Sequence, residues 1–338
     1  MGRRRRDPSQ PNAWSRRAKF LYGHVWVTLS WLVRHRCWGT IGLPLLAALY
    51  VRQVDIPKIA WLYRLRFQTK LEQAASMVEW LAGWLRYLRK TLWVVVDGAY
   101  AKRPFLKRAQ QAGAIVISRL RKDAALWSVP VVLPPGKRRR GKPRIYGKER
   151  ISLAKRAGHK QGWQGGTFPL YGSEVQMPYK TFLATYKPAG GLIRVVLTWD
   201  DSSGWRAYFC TDPNARVAEI LEAVADRAAI EQNFHDLKEV HGVGQQQLRS
   251  YWANLGAYHL SLWLHTLIEL WAWAKPKHVI VDRSASPWDD TTRRPSHADR
   301  RNALCRQSMQ TEFQREAAAE YVSAKIHRLW QRLLRLTA

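Results

Sequence analysis

Apolar positions along the chain change period several times, and each change marks an element. Residues 20–33 and 40–51 are near-continuous apolar runs rich in Val, Ile, Leu and aromatics, with the polar stretch 34–39 between them. Runs of that length predict two adjacent strands of a well-buried sheet. Residues 67–89 instead place Leu71, Ala74, Ala75, Val78, Leu81, Trp84, Leu85 and Leu88 on one helical stripe. A β-forming run at 92–96 then ends in Asp97-Gly98. The helix-like segment 101–112 follows and leads through Gly113, at a C-cap position, to a second β-forming run at 114–120. Strand–helix–strand order at these lengths is a βαβ crossover, which sets two strands parallel inside an α/β layer.

Beyond residue 133 the pattern breaks. Residues 137–160 hold eleven Lys and Arg against one acid, Glu149, and read as a solvated basic loop or a nucleic-acid arm. Segments 179–187, 191–199 and 205–211 are separated by turn-forming residues at 188–191 and 200–204, which predicts a small antiparallel meander. From 215 onward the reading is helical, over 215–240 and 250–274. The charged stretch 276–303, with three prolines, predicts a loop or linker, and a last amphipathic helix covers 310–336.

Charge narrows the class of partner. The 338 residues include 56 Lys and Arg against 25 Asp and Glu, a formal charge of +31, yet 46% are hydrophobic and 18 are Trp. Such a chain folds rather than staying a disordered polycation, and it points to a polyanion, nucleic acid before anionic membrane. Cys37, Cys210 and Cys305 stand far apart and signal neither a disulfide framework nor a zinc knuckle. The basic start is followed by polar residues 7–12 rather than an apolar core, so no secretion signal is expected. Residues 255–274 have the length of a membrane span but carry His259, His265 and Glu269, and an ionised Glu in lipid is costly. They read as a buried helix.

Two places carry candidate chemistry. Asp97 stands at the carboxyl end of a strand, the sheet edge where open α/β folds bind ligands. The competing N-cap role fits poorly, because the next helix begins near residue 101. On a single helix through 215–240, Arg227, Glu231 and Lys238 share one stripe, with Ile230, Phe234 and Leu237 on an adjoining apolar stripe. A carboxylate between cations suits a metal ligand among groups that hold phosphate oxygens. The same spacing also fits an exposed Arg–Glu pair worth about a few tenths of a kcal/mol. Gln245, Gln246 and Gln247 read either as amides contacting DNA or as a polar loop. His24, His259 and His265 read as core histidines, and Trp252, Trp263, Trp271 and Trp273 as packing residues.

Residues 93–100 resemble the strand of the second catalytic aspartate in DDE transposases of bacterial insertion sequences. Arg227, Glu231 and Lys238 resemble the last three members of their Tyr-Arg-Glu-Lys signature, with Val224 at the tyrosine position. Residues 208–212 and 234–238 are similar to this group too, as is a β-rich insertion between the second Asp and the Glu. The resemblance covers residues 20–275 and implies an α/β, ribonuclease H-like fold: a mixed sheet with flanking helices and an inserted antiparallel β meander. Its strands 20–33, 40–51, 92–97 and 114–120 are expected in one sheet. The implied division is a basic arm (1–19), the first part of the fold (20–133), the basic loop and β insertion (134–211), the last part (212–275), and a charged linker with C-terminal helix (276–338).

The same resemblance implies cutting of transposon ends and joining of 3′ hydroxyls to target DNA by two-metal chemistry with Mg2+ or Mn2+. Asp97 and Glu231 are then catalytic metal ligands, and Arg227 and Lys238 hold phosphate. Lys137, Arg138, Arg139 and Arg140 are the expected further DNA contacts. A homodimer on paired ends, in the cytoplasm at the nucleoid and off the membrane, completes this expectation. The family also carries a first Asp on a strand before the two apolar runs. Asp7 lies in the basic arm and Asp55 follows the runs, so neither takes that place. The expectation is a chain that begins downstream of that acid and has lost cutting. The alternatives are a non-catalytic DNA-binding remnant and a basic RNA-binding protein.

Overall fold

The computed structural model describes residues 2–5, 20–59, 65–131, 142–283, 288–316 and 324–336. The chain divides into two compact units, Met1–Leu29 with Ala48–Ala228 and Ser30–Ala47 with Ala229–Ala338.

The first unit is built on an eight-stranded mixed sheet. Before it, β1 (Gly2–Arg5) pairs antiparallel with β2 (Phe20–Gly23), so part of the arm expected to be irregular is a strand. Strands β3 (Trp26–His35) and β4 (Gly39–Leu49) follow. Helix α1 (Lys70–Tyr87) opens on Thr69, whose hydroxyl accepts from Glu72 N while the Glu72 carboxylate accepts from Thr69 N. That reciprocal cap fixes the start of the stripe Ala74, Ala75, Val78, Leu81 and Leu85, all buried.

Strand β5 (Trp93–Val96), helix α2 (Arg103–Gln111) and strand β6 (Ile115–Leu120) form the expected crossover, with β5 and β6 parallel. Gly113, at φ +87°, turns the chain out of α2 through the left-handed region. Then come β7 (Leu126–Trp127), β8 (Arg150–Ile151), α3 (Leu153–Gly158), β9 (Gln164–Leu170), β10 (Ser173–Tyr186), β11 (Gly191–Asp200), β12 (Gly204–Cys210) and α4 (Val217–Asp226). The strand order is β5-β6-β12-β11-β10-β7-β8, with β9 paired to β10. The expected meander is therefore present and gains β9 as a fourth strand.

Alternation along these strands separates two faces. Ile117, Val196, Tyr208 and Cys210 pack with Ile220, Leu221 and Ala225 of α4. Phe209, Val195 and Leu197 are fully buried on the other face. Cys210 sits so deep that burial pushes its thiol up to about 12, whereas Cys37 and Cys305, both in the second unit, are exposed.

The second unit holds α5 (Ala229–Glu239), α6 (Tyr251–Ala272), α7 (Lys277–Ile280), α8 (His297–Glu316) and α9 (Ala324–Leu336), together with the turn end of the β3–β4 pair. Trp38, Ile41, Leu43, Ala272, Ile280 and Ala303 form one buried cluster. No helix among the described residues is long and apolar enough to cross a membrane.

Four expectations need correction. Among the described residues β3 and β4 pair only with each other, not with the sheet of β5 and β6. On β4, α6 side chains hydrogen-bond to the strand's backbone where another strand could otherwise approach. Thr266 Oγ1 donates to Pro44 O at 2.7 Å, Trp263 Nε1 donates to Leu45 O at 3.1 Å, and His259 Nε2 accepts from Ala47 N at 3.2 Å. Pro44 itself has no N–H to give to a ladder.

The stretch 215–240 is two helices, interrupted at Arg227 and Ala228, because α4 buries its stripe in the first unit and α5 in the second. Residues 276–303 are not a plain linker. They contain α7 and the start of α8, and their charges are paired: Arg283, with only 5% of its side chain exposed, contacts Asp289 at 2.8 Å and Asp299 at 3.5 Å. Finally, His24 is exposed rather than in the core, and Trp252 and Trp263 keep about half their surface.

A close approach within the second unit yields a testable consequence. A Cβ on Gly42 would lie 2.5 Å from Asn233 Nδ2, and Asn233 is buried and donates to Ser30 Oγ at 3.3 Å. Gly42→Ala is expected to cost about 1–3 kcal/mol by overpacking. Chemical unfolding should show this loss, and Asn233→Ala in the same chain should recover part of it.

Candidate functional site

Asp97 follows the last residue of β5, in the ladder where Val96 faces Ser118 of β6. Its backbone is extended, and the chain then enters a 3-10 turn, Gly98–Tyr100. The carboxylate Oδ1 accepts from Gly98 N at 2.6 Å, so Asp97 does cap a turn, although not the α-helix that starts at Arg103. Gly98 leaves little room there, since a Cβ would lie 3.2 Å from Arg119 O, a tight contact. The carboxylate is exposed, and with burial its charge helps push the Tyr100 phenol up. The strand-end acid thus stands at the sheet edge, facing solvent.

Glu231 stands in the first turn of α5, where unpaired backbone N–H groups favour a carboxylate, and it is exposed. Lys238 lies seven residues later on the same helix and is exposed as well, so these two share a face as expected. Arg227 does not belong to that helix. It forms the C-cap of α4, and the stripe expected to join it to Glu231 is broken. The buried stripe of α5 differs too: Asn233, Asp236 and Leu237 are buried, whereas Phe234 is exposed. Asp97 and Arg227 belong to the first unit, Glu231 and Lys238 to the second. Lys137, Arg138, Arg139 and Arg140 lie outside the described residues. Gln245, Gln246 and Gln247 form an exposed polar loop.

The remaining acid near the expected first position is Asp55, and it is committed. Arg52 Nε lies 2.5 Å from one oxygen and Lys58 Nζ 3.0 Å from the other. Their hydrogen bonds hold the carboxyl down to about 2.

A second group of titratable side chains lies inside the second unit and was not legible as a site. Asp236 of α5, His265 of α6 and His297 of α8 are all buried, with ligand-type atoms within 4.8 Å of one another. His297 Nδ1 is 2.6 Å from Glu269 Oε1, and its Nε2 is 2.8 Å from His241 Nε2. Arg300 Nη1 donates to both Glu269 oxygens at 2.8 Å, and its guanidinium lies over the Trp38 ring. Burial pushes the Glu269 carboxyl up, but His297 and Arg300 outweigh that and hold it below the usual range. Asp236 is held low in the same way, by its neighbouring imidazoles and by Gln232, which donates to it at 2.8 Å. Burial, then the charges of His297 and His265, push His241 down to about 4.

One signal for this cluster was present in the sequence. Glu269, inside an apolar run, needs a partner in a protein core as much as it would in lipid. His259 behaves as a core histidine: Nε2 accepts from Ala47 N, so Nδ1 carries the proton and donates to Leu255 O at 2.9 Å.

Comparison with known proteins returns a family model described as a transposase DDE domain, matching residues 69–267, a span that includes both Asp97 and Glu231. No curated protein matches the chain.

Proposed function

Because this chain belongs to the DDE transposases, a family of DNA transposition, we propose that Asp97 and Glu231 are its metal-ligating acids in the cutting and joining of transposon ends. The observation that carries this reading is a solvent-facing carboxylate at the carboxyl end of a parallel strand, together with the Glu231–Lys238 face of α5, inside the matched segment. The donor set fits Mg2+ or Mn2+, since both residues offer hard carboxylate oxygens and the Gly98 bond uses only Oδ1 of Asp97. Two such ions supply activation of the attacking oxygen and stabilisation of the leaving one. Lys238 and Arg227 hold phosphate oxygens, and Lys238 does so from the same helix face as Glu231. Two copies act on paired ends, and the DNA substrate places them at the nucleoid.

The second reading is DNA binding without cutting. It is supported by Asp55, which is tied to Arg52 and Lys58 and so is no spare third ligand.

The test uses the full chain with duplexes carrying the element's terminal repeats. Mg2+-dependent nicking at the end is expected under the first reading, and binding alone would establish the second. Preference for structured RNA over these duplexes would overturn both. Affinity should fall steeply with salt as condensed counterions are displaced. Replacing Lys137, Arg138, Arg139 and Arg140 by Ala should flatten the log–log slope by up to ~0.9 for each phosphate no longer neutralised. An unchanged slope would make that stretch a solvated face.

A further inference from the structure

The buried cluster of the second unit has a chemistry that the transposition reading leaves unused. We propose that Asp236, His241, His265 and His297 form a site for one borderline divalent transition-metal ion, Zn2+ in the first instance, that ties α5, α6 and α8 together.

His265 makes the strongest case. It is 1% exposed, yet neither Nδ1 nor Nε2 has a hydrogen-bond partner. Nε2 points towards Asp236 Oδ2 at 3.7 Å, too far for a hydrogen bond. Buried polar atoms are nearly always satisfied, and a cation between this nitrogen and the carboxylate satisfies both.

His297 supplies a second, independent argument. Its Nδ1 faces the Glu269 carboxylate, which only accepts, so the proton of a neutral ring sits on Nδ1. The lone pair on Nε2 therefore points into the cluster, towards His241 Nε2. An imidazole whose far nitrogen is held by a carboxylate is the usual support of a metal-bound histidine, fixing both ring orientation and basicity. Arg300 in turn anchors Glu269.

The distances suit a small ion. Bonds of about 2.0–2.1 Å in a tetrahedron put ligand atoms about 3.3 Å apart. Asp236, His265 and His297 already lie within 4.8 Å of one another, and His241 Nε2 joins them through its 2.8 Å approach to His297 Nε2. Because the His265 and His297 rings stack at 4.0 Å, ligation also turns the His265 ring out of that stack. Three imidazoles and one carboxylate select Zn2+ or Co2+ over Mg2+, which takes oxygen ligands. Four protein ligands also close the shell, the mark of a structural rather than a catalytic ion. The site is thus distinct in chemistry from the acids Asp97 and Glu231, and it stands whether or not the chain cuts DNA.

The test is metal binding by the full chain carrying Cys37→Ser and Cys305→Ser, which removes the exposed thiols as competing ligands. After stripping with a chelator, Zn2+ is titrated against a chromophoric competitor, and Co2+ is added separately to read its visible spectrum. One equivalent bound, a tetrahedral Co2+ spectrum without thiolate bands, and no competition from millimolar Mg2+ are expected. His265→Ala and His241→Gln should each weaken Zn2+ by more than about 100-fold, because even an outer carboxylate such as Glu269 is worth about 10–100-fold. Circular dichroism establishes that each variant is folded. If His265→Ala does not fold, the half-buried His241→Gln carries the comparison. A folded, stripped chain that takes up neither Zn2+ nor Co2+ stoichiometrically, or variants that bind as tightly as their parent, would overturn the proposal.

Discussion

Replacing Glu269 by Ala is expected to remove about 3–5 kcal/mol of folding free energy. Glu269 and Arg300 are 1% and 5% exposed, and both carboxylate oxygens accept from the guanidinium. Taking away the acid leaves a buried cation with no counter-charge and strips His297 Nδ1 of its acceptor. The cost is that of the orphaned partner rather than the worth of the pair, so a matched replacement should be far milder. Glu269→Met with Arg300→Met is expected to recover most of the loss, because two apolar groups of similar length need no desolvation. Urea unfolding of the single and double variants measures both terms. A Glu269→Ala loss below about 1 kcal/mol, the range of a surface ion pair, would mean that water reaches Arg300.

Where the chain cuts, as the first reading has it, Asp97→Asn and Glu231→Gln are each expected to lower Mg2+-dependent nicking of transposon-end DNA by about a thousandfold or more. Losing one anionic ligand forfeits several kcal/mol of transition-state stabilisation, and each 1.36 kcal/mol is a factor of about ten. Affinity for the same duplex should change little, since phosphates are held by cations. Nicking that survives either change would remove that residue from the metal site. Weakened binding with unchanged nicking per bound complex would make it a DNA contact instead.

Much of the first unit can be read without coordinates because its signals are local. The β-forming runs of β5 and β6, the Gly113 turn and the Thr69–Glu72 cap each lie within a few residues of what they control. The turn-forming residues at 188–191 and 200–204 locate the meander equally well. Asp97 and Glu231 stand out for the same reason, through motif and spacing. The second unit is opaque because its determinants are distant. Glu269 meets His297 across 28 residues and Arg300 across 31, so charges that look solvated in 276–303 are in fact core partners. The break at Arg227 and Ala228 is hidden because the apolar pattern continues on both sides of it; only the packing of α4 and α5 into separate cores reveals it. Asn233 and Asp236 are buried in place of Phe234 for a similar reason, since Gly42, Ser30 and Gln232 give polar side chains a place that periodicity cannot foresee.

The thiols divide in a way that decides how this protein can be watched. Cys210, inside the sheet and with its thiol pushed up to about 12, stays out of reach of maleimides while the fold holds. Cys37, at the turn between β3 and β4, and Cys305, on α8, are exposed, and both belong to the second unit. A fluorophore pair attached to the unaltered sequence therefore reports on the second unit alone. It would register the loosening of α8 when a chelator is added and stay silent about the sheet that bears Asp97.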